Sequence, residues 1–135
     1  EYAITLDADG QHDPFFIKSF ISQFKKGADI VIGVRKEKQR FSEIIFSWFT
    51  NIKWGIVDPL SGFKGYKLSL FNKLGYFDKH QLIGTELMLF AAYKKYNISQ
   101  INIDVKKRIG TPKFGSKLIS NFKILKALIL AIFFF

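Results

Sequence analysis

Two aspartates separated by one residue, Asp7 and Asp9, directly follow the apolar segment from Tyr2 to Leu6, which is typical of a β-strand. Ligands of open α/β sheets bind at the carboxyl ends of the strands. Carboxylate oxygens suit Mg²⁺, which usually fills its remaining positions with water and substrate phosphates. The segment therefore predicts a site for a divalent cation and a diphosphate.

The residues after the aspartates support this interpretation. Asp13 and Pro14 form an N-cap followed by proline at the first helical position, which fixes the turn. Gln11 adds an oxygen two residues after Asp9, so the predicted metal ligands are Asp7, Asp9 and Gln11. Without such neighbours, Asp-x-Asp after a strand is a weak motif, which more often marks a solvated turn than a metal site.

Two other aspartate motifs can be tested by spacing. An EF-hand loop needs glycine at its sixth position and glutamate at its twelfth. Counted from Asp7, these positions hold His12 and Lys18, which excludes an EF-hand. A haloacid dehalogenase phosphatase would have Thr or Val in place of Gln11 and a later acidic pair, so it remains a remote alternative. We interpret His12 as a polar turn residue.

The length and composition bound the protein class. A chain of 135 residues can bury one core, and the absence of cysteine excludes disulfides and thiolate chemistry. No signal peptide is recognisable. Because natural domains rarely begin inside a strand and end in a run of three phenylalanines, we expect a fragment of a longer protein.

The charge is strongly basic and unevenly distributed. The net charge is +10, of which +1 lies in residues 1–57 and +9 in residues 58–135. A basic half indicates nucleic acid, anionic lipid or a phosphorylated substrate as partner. No common nucleic-acid-binding motif is present, and the apolar C-terminal end favours a membrane surface over nucleic acid.

Strands and helices alternate along the chain, which predicts an α/β fold with a largely parallel sheet. In the first helix, Phe16, Phe20 and Phe24 repeat at i+4 and predict a core face. The predicted helices are Pro14–Lys26, Arg40–Trp54, Ser69–Leu74, Gly84–Tyr96 and the segment from Ser116 onward. The predicted strands are Tyr2–Leu6, Asp29–Val34, a short one after the turn that begins at Asp58, and Ile101–Val105.

The second helix carries six apolar residues at helical spacing, which we expect to form a core face. A face turned to lipid or to a partner is the alternative. The six residues are Phe41, Ile44, Ile45, Trp48, Phe49 and Ile52.

The C-terminal segment, residues 116–135, is both basic and apolar. Lys117, Lys123 and Lys126 interrupt its apolar stripe, and every residue after Lys126 is apolar. A spanning helix needs roughly 20 apolar residues. The segment therefore predicts a basic amphipathic helix on a membrane or the start of a transmembrane helix, with a buried core helix as the alternative.

The ordered motifs resemble the C-terminal part of a family 2 glycosyltransferase with the GT-A fold, and dolichyl-phosphate mannosyltransferases and bacterial polyprenyl-phosphate glycosyltransferases in particular. The resemblance covers most of the chain, and the order of the motifs is more specific than any single one. It implies that residues 1–115 belong to a catalytic domain with a Rossmann-like, mixed, mostly parallel sheet, here without its N-terminal nucleotide-binding half. The matching segments are Leu6–Pro14, Ile32–Arg35, Asp58–Lys64, Glu86 and Arg108–Lys113.

The resemblance also implies roles for single residues. Asp9 would hold Mg²⁺ or Mn²⁺ at the diphosphate of a nucleotide sugar, with Asp7 nearer the nucleoside. Arg108 would act in catalysis from a basic loop that folds over the phosphates. Lys64 stands where the family often has Arg, and Pro112 where Ser is common. The implied substrate-binding residues are Asp7, Arg35, Ser61, Gly62, Phe63, Lys64, Glu86 and Lys113.

The implied reaction is inverting transfer of a hexose to a polyprenyl or dolichyl phosphate at the cytoplasmic face of a membrane. A cation with Arg and Lys would neutralise the leaving nucleoside diphosphate. A phosphate acceptor is already ionised, whereas a glycan hydroxyl, the alternative acceptor, needs a base; Asp58 is the candidate. A non-catalytic membrane-surface domain is the alternative outside enzymes. No nucleic-acid partner is expected.

Overall fold

A computed structural model of the chain describes residues 1–36, 38, 40–77, 84–106 and 117–134. The strands are β1 (Tyr2–Thr5), β2 (Ile30–Arg35), β3 (Lys64–Lys67) and β4 (Ile98–Ile103). The helices are α1 (Ile17–Lys25), α2 (Phe41–Trp54), α3 (Leu68–Leu74), α4 (Thr85–Tyr93) and α5 (Lys117–Phe134), and a short 3-10 helix (Pro14–Phe16) precedes α1.

The four strands form one mixed sheet in the order β1-β3-β2-β4. Strand β3 runs antiparallel to both β1 and β2, while β2 and β4 are parallel. Strands β1, β2 and β4 therefore share one direction, and the predicted α/β fold with a mixed sheet is confirmed, although two of its three strand pairings are antiparallel. The sequence did not indicate that β3 runs against the others.

The sheet carries a hydrophobic core on each face. Ile30 and Ile32 of β2 pack with α2, α3 and α4, whereas Val31 between them packs with α1 on the opposite face. The strand alternation explains this division, because successive side chains point to opposite faces. Phe20 and Phe24 are buried in the second core, as the spacing predicted.

The predicted core face of α2 was wrong for four of its six residues, whereas Ile45 and Phe49 pack against the core that contains Ile30 and Ile32. Phe41, Trp48 and Ile52 are 73%, 67% and 67% exposed, and Ile44 is 52% exposed. The buried side of this helix is instead mostly polar: Ser42, Glu43, Phe46, Ser47 and Thr50.

Hydrogen bonds and ion pairs explain how a polar side of α2 can be buried. Thr50 Oγ1 donates to the carbonyl oxygens of Phe46 (3.1 Å) and Ile56 (2.9 Å). The carboxylate of Glu43 accepts from Arg35 and Arg40 at 3.3 and 3.2 Å. Because satisfied polar groups can enter a core at little cost, apolar spacing alone did not decide which face is buried.

Helix α5 packs against α2. Leu128 is buried, Ile124 packs against the same core, and Ser42 Oγ lies 2.6 Å from Asn121 Oδ1 of α5. Among the α5 side chains that the structure describes, five apolar ones are exposed: Phe122, Leu125, Ile129, Ile132 and Phe133. In the part of the chain that the structure describes, no helix has the length and apolar character needed to cross a membrane.

Candidate functional site

The sheet register places the functional segments at one edge. Thr5 of β1 and Ile32 of β2 both pair with Lys64, the first residue of β3. Asp7 after β1, Arg35 at the end of β2 and Gly62 before β3 therefore lie at the same end of the sheet. We refer to this end, where β1 and β2 finish and β3 begins, as the edge. Thr5 Oγ1 donates across this edge to the carbonyl oxygens of Gly62 (3.2 Å) and Lys64 (3.3 Å).

Asp7 lies directly against Gly62. A Cβ atom at Gly62 would lie 2.3 Å from Asp7 Oδ2 and 2.5 Å from its Cγ. Only glycine leaves room for the carboxylate in this position. The structure thus brings together the Asp-x-Asp segment and the Ser-Gly-Phe turn, two motifs that are far apart in the sequence.

His12 holds the backbone of the loop from Asp7 to Asp13, which we call the aspartate loop. Its ring is buried, its Nδ1 accepts the N–H of Asp7 at 3.2 Å, and the ring lies 5.3 Å from that of Phe63. Burial lowers the pKa of His12, although the negative charges of Asp7 and Asp9 act in the opposite direction. The ring is therefore a neutral acceptor, a role that our interpretation of His12 as a polar turn residue missed.

The same loop is fastened to the end of β4. His12 forms a β-bridge with Val105, and the N–H of Lys106 donates to the Gln11 carbonyl at 2.9 Å. Lys106 Nζ lies 3.3 Å from Asp13 Oδ2. A hydrogen bond from the backbone N–H of Phe15 and the ion pair with Lys106 both lower the pKa of Asp13.

The side chains of the predicted metal ligands differ in their contacts. Asp9 Oδ1 accepts the Gln11 N–H at 3.1 Å, which closes a tight turn. Gln11 Nε2 donates to the carbonyl of Lys106 at 3.3 Å. Asp7 keeps 42% of its side chain exposed, so its carboxylate is accessible to a ligand.

Arg35 and Asp58 form an ion pair with two hydrogen bonds beside the aspartate loop. Arg35 Nε and Nη2 donate to Asp58 Oδ2 (2.8 Å) and Oδ1 (2.9 Å), and the Arg35 N–H also donates to Oδ2 at 3.1 Å. Burial alone would lower the pKa of Arg35, but the bonds to Asp58 and the charges of Glu43 and Asp7 raise it. Both oxygens of Asp58 are therefore engaged, and its role as a general base stays a prediction.

Other predicted substrate-binding residues lie inside the protein. Ser61, Phe63 and Lys64 have no exposed surface. Ser61 Oγ accepts the N–H of Phe63 at 3.2 Å, and Lys64 Nζ donates to Thr85 Oγ1 at 3.3 Å. These residues position the turn around Gly62, and the substrate contact predicted for them stays a prediction.

Glu86 is also buried, at 5% exposure, in the first turn of α4. A glutamate in the first turn of a helix is usually a solvated charge that the helix dipole favours, whereas this one is enclosed by the protein. Burial raises the pKa of Tyr76, and the negative charge of Glu86 adds to the effect. The ligand contact implied for Glu86 stays a prediction.

Two predicted residues, Arg108 and Lys113, lie outside the described residues, as does the predicted boundary between residues 115 and 116. The basic loop over the phosphates therefore remains a prediction from the sequence.

The donor set at this edge fits a cation that shares its coordination with substrate. Among the described residues, no three His, Cys, Asp or Glu side chains form a metal-binding group. Asp7 and Asp9 supply two carboxylates at the end of β1, and Asp7 is open to solvent. Mg²⁺ and Mn²⁺ suit such carboxylates, and Mg²⁺ commonly binds through one or two of them together with substrate phosphates.

Comparison with solved structures gives the fold. The chain is similar to glucosyl-3-phosphoglycerate synthase from Mycobacterium tuberculosis in complex with phosphoglyceric acid, with a TM-score of 0.73, 16% sequence identity and coverage of 96% of this chain. It is equally similar to that enzyme in complex with Mn²⁺, UDP-glucose and glycerol 3-phosphate, with a TM-score of 0.72, 16% identity and 97% coverage.

The chain thus spans 49% and 48% of the length of those two structures. The fold class is that of GT-A glycosyltransferases. No protein-family model matches the chain, and no curated protein matches it either.

Proposed function

We propose that this chain forms part of a metal-dependent, inverting glycosyltransferase that moves a hexose from a nucleotide diphosphate sugar to a phosphate-bearing acceptor. The observation that carries the proposal is the contact between Asp7 and Gly62. It places two carboxylates, an ordered turn and the Arg35–Asp58 pair at one sheet edge, where open α/β sheets bind their ligands.

The similar solved structures support this proposal. One is described as a complex with Mn²⁺, UDP-glucose and glycerol 3-phosphate, which is a cation, a nucleotide sugar and a phosphorylated compound together. By analogy, we assign to this chain a nucleotide diphosphate sugar as donor and Mn²⁺ or Mg²⁺ as cofactor. We base the lipid acceptor on the resemblance of the sequence motifs to those of polyprenyl- and dolichyl-phosphate glycosyltransferases.

Each predicted site residue has a task in the proposed reaction. Asp7 and Asp9, with Gln11 as a further ligand, would hold the cation. When bound, the cation would neutralise charge that develops on the leaving nucleoside diphosphate. Gly62 leaves room for the Asp7 carboxylate, and His12 accepts the Asp7 N–H. Arg35, Arg108 and Lys113 would add positive charge near the phosphates.

The engagement of Asp58 favours an acceptor that needs no base. Both of its oxygens accept hydrogen bonds from Arg35, and its side chain is only 1% exposed. A carboxylate held in this way is poorly placed to remove a proton from a hydroxyl group. An acceptor phosphate is already ionised near neutral pH. We therefore prefer a lipid phosphate, at the cytoplasmic face of a membrane, over a glycan hydroxyl.

The test is sugar transfer by the intact protein with labelled UDP- and GDP-sugars, Mn²⁺ and polyprenyl phosphate. The variant Asp9→Asn should abolish metal-dependent product formation. Asp13→Asn is the matched control, because Asp13 lies in the same loop but caps the 3-10 helix through the Phe15 N–H at 2.9 Å. Asparagine caps helices as well as aspartate does, so this variant should remain active.

The outcomes separate the proposal from its alternatives. A lipid product that needs Mn²⁺ and Asp9 supports the lipid acceptor. Donor hydrolysis that needs both, without a lipid product, would favour a soluble phosphorylated acceptor or a glycan hydroxyl. If neither reaction occurs with any donor, the chain is better explained as a non-catalytic membrane-surface domain.

A further inference from the structure

Helix α2 carries apolar residues on a face that no described part of the chain covers. Phe41, Ile44, Trp48 and Ile52 recur at three- and four-residue spacing and are 52% to 73% exposed. Their stripe lies opposite the buried residues Phe46 and Thr50. An exposed apolar stripe of this kind is expected to have an environment other than water.

On α2 itself, the exposed charged residue is basic. Glu43, the acidic residue of α2, is buried in ion pairs with Arg35 and Arg40, so the exposed surface of α2 carries no acidic side chain. Lys53 is exposed at the C-terminal end of the helix, where its Nζ lies 4.5 Å from the centroid of the Trp54 ring. The surface therefore combines apolar and cationic groups.

Helix α5, the neighbour of α2, has the same character. It contains lysines and no acidic residue, and its exposed residues include Phe122, Ile129 and Lys126. Large apolar and aromatic side chains combined with lysines are typical of helices that lie in the interface of a bilayer, and tryptophan is enriched at that depth.

We propose that the exposed face of α2 docks on the surface of an anionic lipid bilayer. The occupant is a lipid surface because the charges complement it: lysines attract anionic headgroups, and Phe41, Ile44, Trp48 and Ile52 enter the boundary with the acyl chains. A second copy of the chain fits less well. A two-fold contact brings a surface against itself, and the lysines would then meet lysines without acidic partners.

The docking surface is connected to the proposed site. Glu43 lies on the opposite side of α2 from the stripe and accepts from Arg35, the partner of Asp58. Docking of α2 would therefore hold this sheet edge close to the lipid headgroups. The docking of α2 on a bilayer does not depend on the proposed function. Its consequence, access of a lipid phosphate to the edge, does rest on the proposed function.

The experiment uses an environment-sensitive nitrobenzoxadiazole (NBD) label on single cysteines in the intact protein. This chain contains no cysteine, so Ile44→Cys and Ile52→Cys introduce unique sites within it, in a background free of other cysteines. The control is Ile21→Cys on α1, which is 45% exposed and packs on the other face of the sheet. Each labelled protein is mixed with vesicles of phosphatidylcholine and phosphatidylglycerol that contain a shallow spin-labelled lipid.

The expected result is a blue-shifted emission that the spin label quenches at positions 44 and 52 but not at 21. Water-like emission without quenching at 44 and 52 would overturn the proposal. A blue shift in the absence of vesicles, without quenching when they are added, would show that protein covers this face and would also overturn it.

A second pair of variants tests the energetics. Ile44→Asp should lower partitioning into the anionic vesicles by about tenfold or more, because it removes an apolar group from the interface and adds like charge to the headgroups. Ile21→Asp should leave it unchanged. If other segments anchor the intact protein in membranes, its partitioning is insensitive to α2. The measured quantity is then the quenching of a label at position 52, compared with and without each substitution. Equal effects of both substitutions would overturn the assignment to α2.

Discussion

The Asp7 carboxylate occupies the space that a side chain at position 62 would need. A Cβ atom there would lie 2.3 Å from Asp7 Oδ2. The change Gly62→Ala should therefore displace Asp7. Changes to residues that orient metal ligands typically cost about 10- to 100-fold in metal affinity or activity. We expect a loss of about that size in Mn²⁺-dependent transfer, measured together with Mn²⁺ binding, and little change in thermal stability.

Gly65→Ala in β3, three residues further along the chain, is the matched control. A Cβ atom at Gly65 would lie 2.6 Å from Cζ of Phe24 and 3.0 Å from Cδ1 of Phe20. Overpacking a core typically costs about 1–3 kcal/mol, so this variant should unfold more easily while its folded fraction keeps its metal affinity. Equal loss of metal affinity in both variants would contradict the role assigned to Gly62.

His12 is expected to make stability depend on pH. Burial lowers its pKa in the folded state below its unfolded value of 6.5, so the unfolded chain takes up a proton first as the pH falls. The contribution of neutral His12 is thus complete above the unfolded pKa and is lost as the pH falls through the folded-state pKa. Without added metal, wild type should lose more stability than His12→Asn between about pH 7 and pH 5.

The measurement is urea unfolding of both proteins over that range. Asparagine keeps an oxygen that can accept the Asp7 N–H but does not titrate. Parallel pH profiles for wild type and His12→Asn would show that His12 does not titrate between the folded and unfolded states.

The Arg35–Asp58 pair joins the end of β2 to the turn before β3, and Glu43 adds α2 to the same cluster. The change Asp58→Ala leaves a buried guanidinium with one of its partners missing. Breaking a buried pair by removing one partner costs about 3–5 kcal/mol. We expect Asp58→Ala to lower the free energy of unfolding by about this amount in a urea titration.

The control for this prediction is an ion pair at the surface. Lys36 Nζ lies 2.6 Å from Asp104 Oδ1, and both side chains are 75% exposed. Surface pairs contribute roughly 0–1 kcal/mol, so Asp104→Ala should have a small effect. A similarly small effect of Asp58→Ala would mean that Arg35 finds another partner.

Helix α2 shows where reasoning from the sequence is limited at the scale of an element. Helical spacing predicted its position to within one residue, because periodicity depends on local geometry. It also suggested that Phe41 and Trp48 face the core, and they are exposed instead. The buried polar side depends on partners elsewhere in the chain, such as Arg35 and Asn121, and local spacing contains no information about them.

The residues of the candidate site also differ in how far the sequence predicted them. The motif after β1 indicated Asp7 and Asp9, because their position after a strand is a local property. The antiparallel direction of β3 brings Gly62 to Asp7, and only the family resemblance anticipated that these motifs act together. His12 was missed, since a neutral buried acceptor and a turn residue give the same pattern in the sequence.

At the scale of the whole molecule, the uneven charge bears on the acceptor. Residues 58–135 carry a net charge of +9 out of +10. A field of this size attracts anionic ligands over a distance comparable to the Debye length, about 10 Å at 0.1 M salt. The positive charge therefore speeds the association of an anionic acceptor and has much less effect on a neutral one.

The salt dependence of the reaction should depend on the charge of the acceptor. With the nucleotide sugar saturating, kcat/KM for an anionic phosphate acceptor should fall several-fold between about 50 and 300 mM NaCl, because salt screens the attraction. For a neutral glycan acceptor it should change little. Because the donor is the same in both assays, its own electrostatics cancel in the comparison. Equal salt dependence for both acceptors would mean that the basic half serves another purpose, and docking of α2 on anionic lipid would then be the better explanation for it.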